Sequence, residues 1–112
     1  MTSVITGKLA EQAVAEFLIQ RGFDILYKNW RTRRCEIDIV AYHRKRVYFI
    51  EVKYRDSDKY GDGFAYITST KLRQMKYAAE IWVANNNWYG EFQLSGASVI
   101  GSSYDVTFIE EL

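Results

Sequence analysis

Apolar residues recur at helical spacing in two stretches of the chain. In residues 9–21 the pattern predicts an amphipathic helix whose apolar stripe is Ala10, Ala13, Val14, Phe17 and Leu18. Thr6 can cap the start of this helix, and Gly22 is typical of a helix C-terminus. Residues 71–84 predict a second helix, which Thr68 or Ser69 can start. Its apolar stripe is Leu72, Met75, Ala78, Ala79 and Trp82.

Between and after these helices, the hydrophobic pattern is typical of strands. We expect strands over residues 23–30, 35–42 and 46–54, with a basic loop at 31–34 and a turn at 43–46. Two further strands are expected over about 89–100 and 104–109. Gly, Asp and Ser are frequent in residues 55–68, which predicts a loop. The resulting order, one helix, three strands, one helix and two strands, predicts an α/β fold with a mixed central sheet of about five strands flanked by helices.

Length and composition fit one domain over residues 1–112 with a single modest core. No apolar run has the length of a transmembrane helix, and the N-terminal residues lack the features of a signal peptide. We therefore expect a cytoplasmic protein. Cys35 is the only cysteine of the sequence, which excludes an intrachain disulfide and a cysteine-based zinc site.

Basic residues are concentrated between positions 28 and 55. This segment has a net charge of +6, although the net charge of the whole chain is only +1. Such a segment suggests a local positive patch for a polyanion such as nucleic acid, or a solvated sheet edge protected from aggregation by Lys and Arg. Four of the basic residues are candidates for binding DNA: Arg31, Arg34, Arg55 and Lys71.

Charged residues interrupt the apolar strands in the sequence EIDIVAYHRKRVYFIEVK, residues 36–53. Because side chains alternate across a strand, Glu36 and Asp38 should share one face, and Ile37 and Ile39 the other. An isolated charge on a half-exposed strand usually faces water. However, the face expected to hold Asp38 also has apolar residues, and a helix is available to cover it. A partly buried carboxylate without a partner is unfavourable by several kcal/mol.

The turn determines which charges face each other. If residues 44–45 form its centre, Asp38 stands opposite Glu51 and Glu36 stands opposite Lys53, with Cβ atoms about 5 Å apart. Two carboxylates at that distance repel unless a cation lies between them, and Mg²⁺ prefers carboxylate oxygens and water. Asp38 and Glu51 are therefore a candidate divalent-metal site. Glu36 could pair with Lys53 or face solvent.

Two carboxylates and a lysine in this order resemble the PD-(D/E)xK nuclease superfamily. More narrowly, the chain is similar to the YraN-type endonuclease family, which is related to archaeal Holliday-junction resolvases. The resemblance spans nearly the whole chain and is carried by these residues: Gly7, Glu11, Ala13, Gly22, Phe23, Asn29, Arg31, Glu36, Ile37, Asp38, Glu51, Val52, Lys53, Arg55, Lys71, Tyr104, Asp105 and Val106. The chain departs from the family at Cys35, where a glycine is usual.

The resemblance implies a restriction-endonuclease-like core and roles for individual residues. Asp38, Glu51 and the backbone carbonyl of Val52 would bind Mg²⁺ or Mn²⁺, which would acidify the attacking water. Lys53 would orient this water or stabilise negative charge on the phosphorus centre. Glu11 would hold the metal through water or act as a base. Resolvase-like relatives often form dimers, so a homodimer is also implied.

For two residues, the sequence pattern alone leaves two interpretations open. Glu11 lies at the border of the first apolar stripe, where it could reach a site at the edge of the core or remain a surface charge. Lys71 falls within the second apolar stripe, so it could extend past the helix end or point at a phosphate. His43 is expected to be a turn residue, and Trp82 a core residue. Trp30 and Trp88 fit either the core or a stacking surface.

The favoured hypothesis is a Mg²⁺- or Mn²⁺-dependent endonuclease that hydrolyses phosphodiester bonds in DNA, with branched or structured DNA among the candidate substrates. The alternative is a non-catalytic nucleic-acid-binding module that keeps the nuclease fold. Clustered carboxylates favour the enzyme, because unneutralised acids would repel DNA. A third hypothesis is an assembly protein whose C-terminal strands pair between chains.

Overall fold

The computed structural model describes residues 3–56 and 67–112, with side chains from residue 6 onward. Most of the loop predicted over residues 55–68 lies outside the described residues. The elements are α1 (Ser3–Gln20), β1 (Asp24–Arg31), β2 (Glu36–His43), β3 (Arg46–Arg55), α2 (Ser69–Asn85), β4 (Glu91–Ile100) and β5 (Asp105–Ile109). The predicted element order and the α/β fold class are confirmed.

The five strands form one mixed sheet in the order β1-β2-β3-β4-β5. Neighbouring strands are antiparallel except β3 and β4, which are parallel. A parallel pair needs a crossover connection, and here the connection between β3 and β4 includes α2. The architecture is compatible with a restriction-endonuclease-like core.

The two helices cover opposite faces of the sheet, so each apolar stripe has its own core. The α1 core includes Ala10, Val14, Leu18, Ile39, Ile50 and Val99. The α2 core includes Val40, Phe49, Met75, Ala78, Ala79 and Trp82. In α1, Ala15 is buried while Ala13 and Phe17 are only partly buried, which shifts the predicted stripe slightly. Neither described helix is long and apolar enough to cross a membrane.

The helix ends show which capping predictions were correct. Gly22 has φ +89°, and Phe23 N–H donates to Leu18 O at 3.0 Å, as expected for a glycine stop. Thr68 is the N-cap of α2, and its hydroxyl oxygen accepts a hydrogen bond from Lys71 N–H at 3.1 Å. The predicted cap at Thr6 is wrong, because α1 already begins at Ser3.

The turn between β2 and β3 has its centre at the predicted residues. Arg44 has φ 49° and Lys45 has φ 69°, both left-handed, as in a type I′ hairpin. The two strands pair from His43 and Arg46 at the turn to Ile39 and Ile50 at the other end. The predicted register is therefore confirmed over this whole length. The paired ladder ends one residue before the candidate metal site.

Candidate active site

The candidate site lies where β2 and β3 separate, beyond the pair of Ile39 and Ile50. Continuing the register would bring Val52 opposite Ile37, but Val52 N–H donates to Oδ2 of Asp38 at 2.7 Å. Ile37 packs into the α2 core while Ile39 packs into the α1 core, so the predicted shared face of these two residues is wrong. Strict alternation stops where the ladder ends, and the Asp38 carboxylate reaches the edge of β3.

Asp38 and Glu51 are brought together at this break in the sheet. Their side chains line the same pocket, and only 11% of the Glu51 side chain is exposed. Burial raises the pKa of Asp38 from 3.8 to about 9, together with the neighbouring Glu51 carboxyl, while the hydrogen bond from Val52 N–H opposes the shift. Two carboxylates at this site therefore share a proton, or need a cation, to lie so close together.

Lys71 reaches the same site from the first turn of α2. Its Nζ lies 2.5 Å from Oε2 of Glu51, and 31% of the Lys71 side chain is exposed. Burial lowers the pKa of Lys71, but the hydrogen bond and charge of Glu51 outweigh burial and leave this pKa raised. A lysine in the apolar stripe of α2 is thus explained by an ion pair with a site carboxylate. Whether it also contacts a phosphate stays a prediction.

An open pocket of about 390 Å³ collects the predicted site residues from four elements. Its lining consists of Gly7, Ala10, Glu11, Asp38, Glu51, Val52, Lys53, Tyr54 and Lys71. Lys53 is exposed at the pocket wall, and Glu11 is half-buried, as its position at the border of the α1 stripe suggested. Burial raises the pKa of Glu11, and the polar side chain of Asn29 opposes this rise. All four predicted catalytic residues line this one pocket.

The acidic residues fit a magnesium site in which water and substrate complete the coordination. They do not fit a site in which every ligand comes from the protein. Within the described parts of the chain, no three His, Cys, Asp or Glu side chains form a group that could hold a metal. Mg²⁺ usually retains several waters and uses one or two carboxylates together with substrate phosphates. Asp38 and Glu51 provide such a pair. In a strand, the C=O of a residue points to the same side as its N–H, so the Val52 carbonyl faces the same gap as Asp38.

Glu36 is not part of this site. It forms an ion pair with Arg31, with 3.1 Å between Nε and Oε2, and these two residues are partners in the β1–β2 ladder. The predicted pairing of Glu36 with Lys53 is therefore wrong. The reason is that β2 leaves β3 after Ile39, whereas its pairing with β1 continues to Glu36.

The basic segment does not form a single patch. Residues 44–46 lie at the hairpin turn, about 20 Å along the strands from Asp38, and Arg46 is paired with Glu91 at 2.8 Å. Arg31, Arg34 and Arg55 lie at the site end of β1, β2 and β3. Their positions near the pocket are compatible with binding of a polyanion, and nucleic-acid binding stays a prediction.

The aromatic and histidine candidates pack against other side chains of the protein. Trp82 is buried in the α2 core, as predicted, and Trp30 and Trp88 pack partly buried against the same core. His43 stacks on Phe23 with ring centroids 4.2 Å apart. The Arg34 guanidinium lies over the ring of exposed Tyr77, 5.4 Å from its centroid. None of these aromatic rings lines the acidic pocket.

One residue was missed by reasoning from the hydrophobic pattern. Asn29 belongs to β1 but has φ 54°, and it lines a second pocket together with Glu11 of α1. The available signal was its residue type, because an asparagine inside a strand is unfavourable unless it adopts a special backbone conformation.

Fold and site together define an α/β protein with a paired-carboxylate pocket at the end of a split hairpin. Sequence comparison also identifies the protein family to which the chain belongs. The family model described as uncharacterised protein family UPF0102 matches residues 10–109. The chain therefore belongs to UPF0102, the YraN family, which confirms the predicted resemblance to that family.

Individual relatives support the same assignment. A UPF0102 protein from Cytophaga hutchinsonii is 33% identical over 110 residues, which cover 98% of this chain and 97% of the relative. One from Renibacterium salmoninarum is 40% identical over 88 residues, covering 79% of this chain and 75% of the relative. A third, from Mycolicibacterium vanbaalenii, is 38% identical over 78 residues, covering 70% and 64%.

Proposed function

We propose that this protein is a Mg²⁺- or Mn²⁺-dependent endonuclease that hydrolyses phosphodiester bonds in DNA. The observation that supports the proposal most strongly is the pair of carboxyl groups of Asp38 and Glu51, which lie in one pocket with Lys53 and Glu11. Such a pair is unfavourable for stability without a cation. It is the arrangement expected where a divalent ion and a phosphate are bound together.

Asp38, Glu51 and the Val52 carbonyl would hold the ion. When bound, the ion acts as a Lewis acid towards the phosphate and makes water more acidic. Val52 N–H keeps one oxygen of Asp38 fixed, which leaves its other oxygen for the ion. Lys71 holds Glu51 from the opposite side and reduces the negative charge of the pocket.

Lys53 and Glu11 would act on the reacting groups. The Lys53 side chain is exposed at the pocket wall, where its ammonium can contact a non-bridging phosphate oxygen and orient the attacking water. Glu11 is half-buried with a raised pKa, which suits it to accept a proton from this water or to hold a water beside the ion.

DNA is the proposed substrate because basic residues surround an acidic pocket. Arg31, Arg34 and Arg55 lie at the same end of the sheet as Asp38, where they can contact phosphates on either side of the cleaved bond. The pocket is open, so it can admit a backbone at a junction or flap as well as a duplex. Branched or structured DNA is therefore included among the proposed substrates.

A cleavage screen tests this proposal. Duplex, single-stranded, flap and four-way DNA are incubated with the wild type in Mg²⁺ or Mn²⁺. We expect Asp38→Asn, Glu51→Ala and Lys53→Ala each to lower the cleavage rate by about 10² or more while the fold is retained, because each removes a group of the pocket. Glu16→Gln is the matched control, since Glu16 is exposed on the same helix as Glu11.

Cleavage by Asp38→Asn at the wild-type rate would show that the site is assigned wrongly. If the wild type binds DNA but cuts none of the four substrates, the non-catalytic binding module replaces the enzyme. Binding of Mn²⁺ by the wild type in calorimetry, lost in Glu51→Ala, would support the metal site separately from cleavage.

A further inference from the structure

Each of the two paired carboxylates of the acidic pocket is held by the protein through one of its oxygens. Val52 N–H donates to Oδ2 of Asp38 at 2.7 Å. The Lys71 ammonium lies 2.5 Å from Oε2 of Glu51. This Glu51 oxygen is itself buried, and 11% of the Glu51 side chain is exposed. A cation in the pocket would therefore have to use the second oxygen of each carboxylate.

Both holding groups belong to regular parts of the structure. The hydrogen bond to Asp38 comes from the main chain of β3, so its donor has no side-chain freedom. Lys71 lies in the first turn of α2, where its own N–H donates to the hydroxyl oxygen of the N-cap Thr68 at 3.1 Å. Glu51 lies in the parallel ladder of β3 and β4, opposite Gly96. The ion pair thus joins a capped helix to a central strand, which limits the orientations of the Glu51 carboxylate.

The number of oxygens that a carboxylate offers affects which metal it suits. Mg²⁺ requires nearly ideal octahedral geometry, with one or two carboxylates and several waters among its ligands. Ca²⁺ takes about six to eight oxygens in flexible geometry, and a carboxylate can bind it through both oxygens. Two carboxylates restricted to one oxygen each therefore suit the smaller ion. A carboxylate that can rotate also serves the larger one.

We propose that Lys71 is a positioning residue that determines metal selectivity. By holding Oε2 of Glu51, it limits this carboxylate to one coordinating oxygen and disfavours Ca²⁺ relative to Mg²⁺. The inference rests on the proposed function, because it assigns Lys71 a role at the metal site of the nuclease. It is distinct from charge compensation. A nearby positive charge weakens the binding of every divalent cation, but charge alone does not distinguish two ions of equal charge.

Calorimetric titration of Mg²⁺ and Ca²⁺ into the metal-free protein tests this distinction. We expect the ratio of the Ca²⁺ Kd to the Mg²⁺ Kd to fall about fivefold or more in Lys71→Met, which removes the ammonium and keeps a long unbranched side chain. Lys53→Met is the matched control, because Lys53 is an exposed lysine that lines the same pocket. Both substitutions remove one positive charge and should tighten the binding of both ions. In Lys53→Met, however, the ratio should change by less than about twofold.

Three results of the titration would overturn the inference. They are an unchanged ratio in Lys71→Met, an equal fall in Lys53→Met, and a wild type that binds neither ion. A wild type that cuts none of the DNA substrates but shows the fall in the ratio would refute the proposed enzyme while leaving the role of Lys71 supported. Cleavage of DNA together with an unchanged ratio would refute the role of Lys71 alone.

A crystal structure of the wild type with Mn²⁺ gives a second measurement that does not depend on cleavage. We expect one oxygen of Glu51 at the ion, with Oε2 still within about 4 Å of the Lys71 ammonium. Coordination of the ion by both oxygens of Glu51, or by Oε2 in place of the ion pair, would overturn the inference.

Discussion

At the scale of single residues, Asp38 shows how a site depends on an unfavourable interaction. Its side chain is half-buried in the pocket that Glu51 also lines, and its carboxylate accepts a hydrogen bond from Val52 N–H at 2.7 Å. Burial and the neighbouring carboxylate raise its pKa to about 9, so the metal-free protein retains a proton there at neutral pH. A cation at this position would take the place of that proton.

This raised pKa predicts a pH dependence of stability. The unfolded Asp38 titrates near its ordinary pKa of 3.8, and the folded one near 9. The folded state therefore binds the proton more tightly, and the free energy of unfolding should fall as pH rises between these values. Denaturant unfolding in EDTA, from about pH 5 to about pH 9, measures this loss. Asp38→Asn cannot ionise and should show a clearly smaller loss, whereas identical pH profiles would contradict the assigned environment of Asp38.

Lys71 offers a second test at this scale. Lys71→Met should lower the free energy of unfolding at pH above neutral by roughly 1–2 kcal/mol, because Glu51 loses its charged hydrogen-bond partner. The control is Lys76→Met, which removes an exposed lysine of the same helix and should change stability by less than about 0.5 kcal/mol. Equal effects of the two substitutions in urea unfolding would mean that the ion pair contributes nothing measurable.

At the scale of elements, the hairpin of β2 and β3 determines which charges can meet. Its two-residue turn sets the register, and the register aligns Asp38 with Glu51 just beyond the last pair. The turn uses Arg44 and Lys45 in left-handed conformations that favour Asn and Gly. Sequence and conformation therefore disagree locally at this turn.

Changing the turn should alter stability without affecting the distant site. Replacing Arg44 by Asn and Lys45 by Gly should stabilise the protein by about 0.5–1 kcal/mol, because these residues adopt positive φ readily. Lys45→Val should destabilise it by roughly 1 kcal/mol, since a β-branched residue is strained there. Chemical unfolding measures both changes. A stabilising effect of Lys45→Val would contradict the type I′ turn.

At the scale of the whole molecule, the site exists because two helices converge on the end of a split hairpin. α1 contributes Glu11 from one face of the sheet, and α2 contributes Lys71 from the other. The crossover of α2 between β3 and β4 places its capped first turn at the end of β3 that holds Glu51. Assembly of the pocket is therefore tied to folding of the whole chain.

Because the pocket belongs only to the folded protein, a bound cation should stabilise the molecule. We expect millimolar Mn²⁺ to raise the Tm of the wild type by roughly 5 °C, if its concentration is about ten times the dissociation constant. The rise should be larger at about pH 8 than at about pH 6. The reason is that the ion competes with a proton for Asp38, and the proton is bound less at the higher pH. Scanning calorimetry with Asp38→Asn as control checks this. An equal rise in that variant would place the ion elsewhere.

Much of this arrangement could be predicted from short-range patterns. Helical and strand periodicities predicted the seven elements in order, and the two turn residues predicted the register that brings Asp38 near Glu51. Two contacts were not predictable in this way. The pairing of Glu36 with Arg31 and the bond from Val52 N–H to Asp38 both depend on where strands separate or bulge. β1 has such an irregularity between Ile25 and Tyr27.

The sequence by itself determined the fold class, because periodicity and turn chemistry are local properties. Its resemblance to a known family supplied Glu11, Asp38, Glu51 and Lys53 as residues of one site, and all four line the pocket. Only the tertiary structure decided how those residues interact. It showed that β2 leaves β3 at Asp38, that Lys71 pairs with Glu51, and that the basic residues divide between two ends of the sheet. The physical reason is that these contacts join elements distant in the chain, whose relative placement is determined by packing of the two cores rather than by any local pattern.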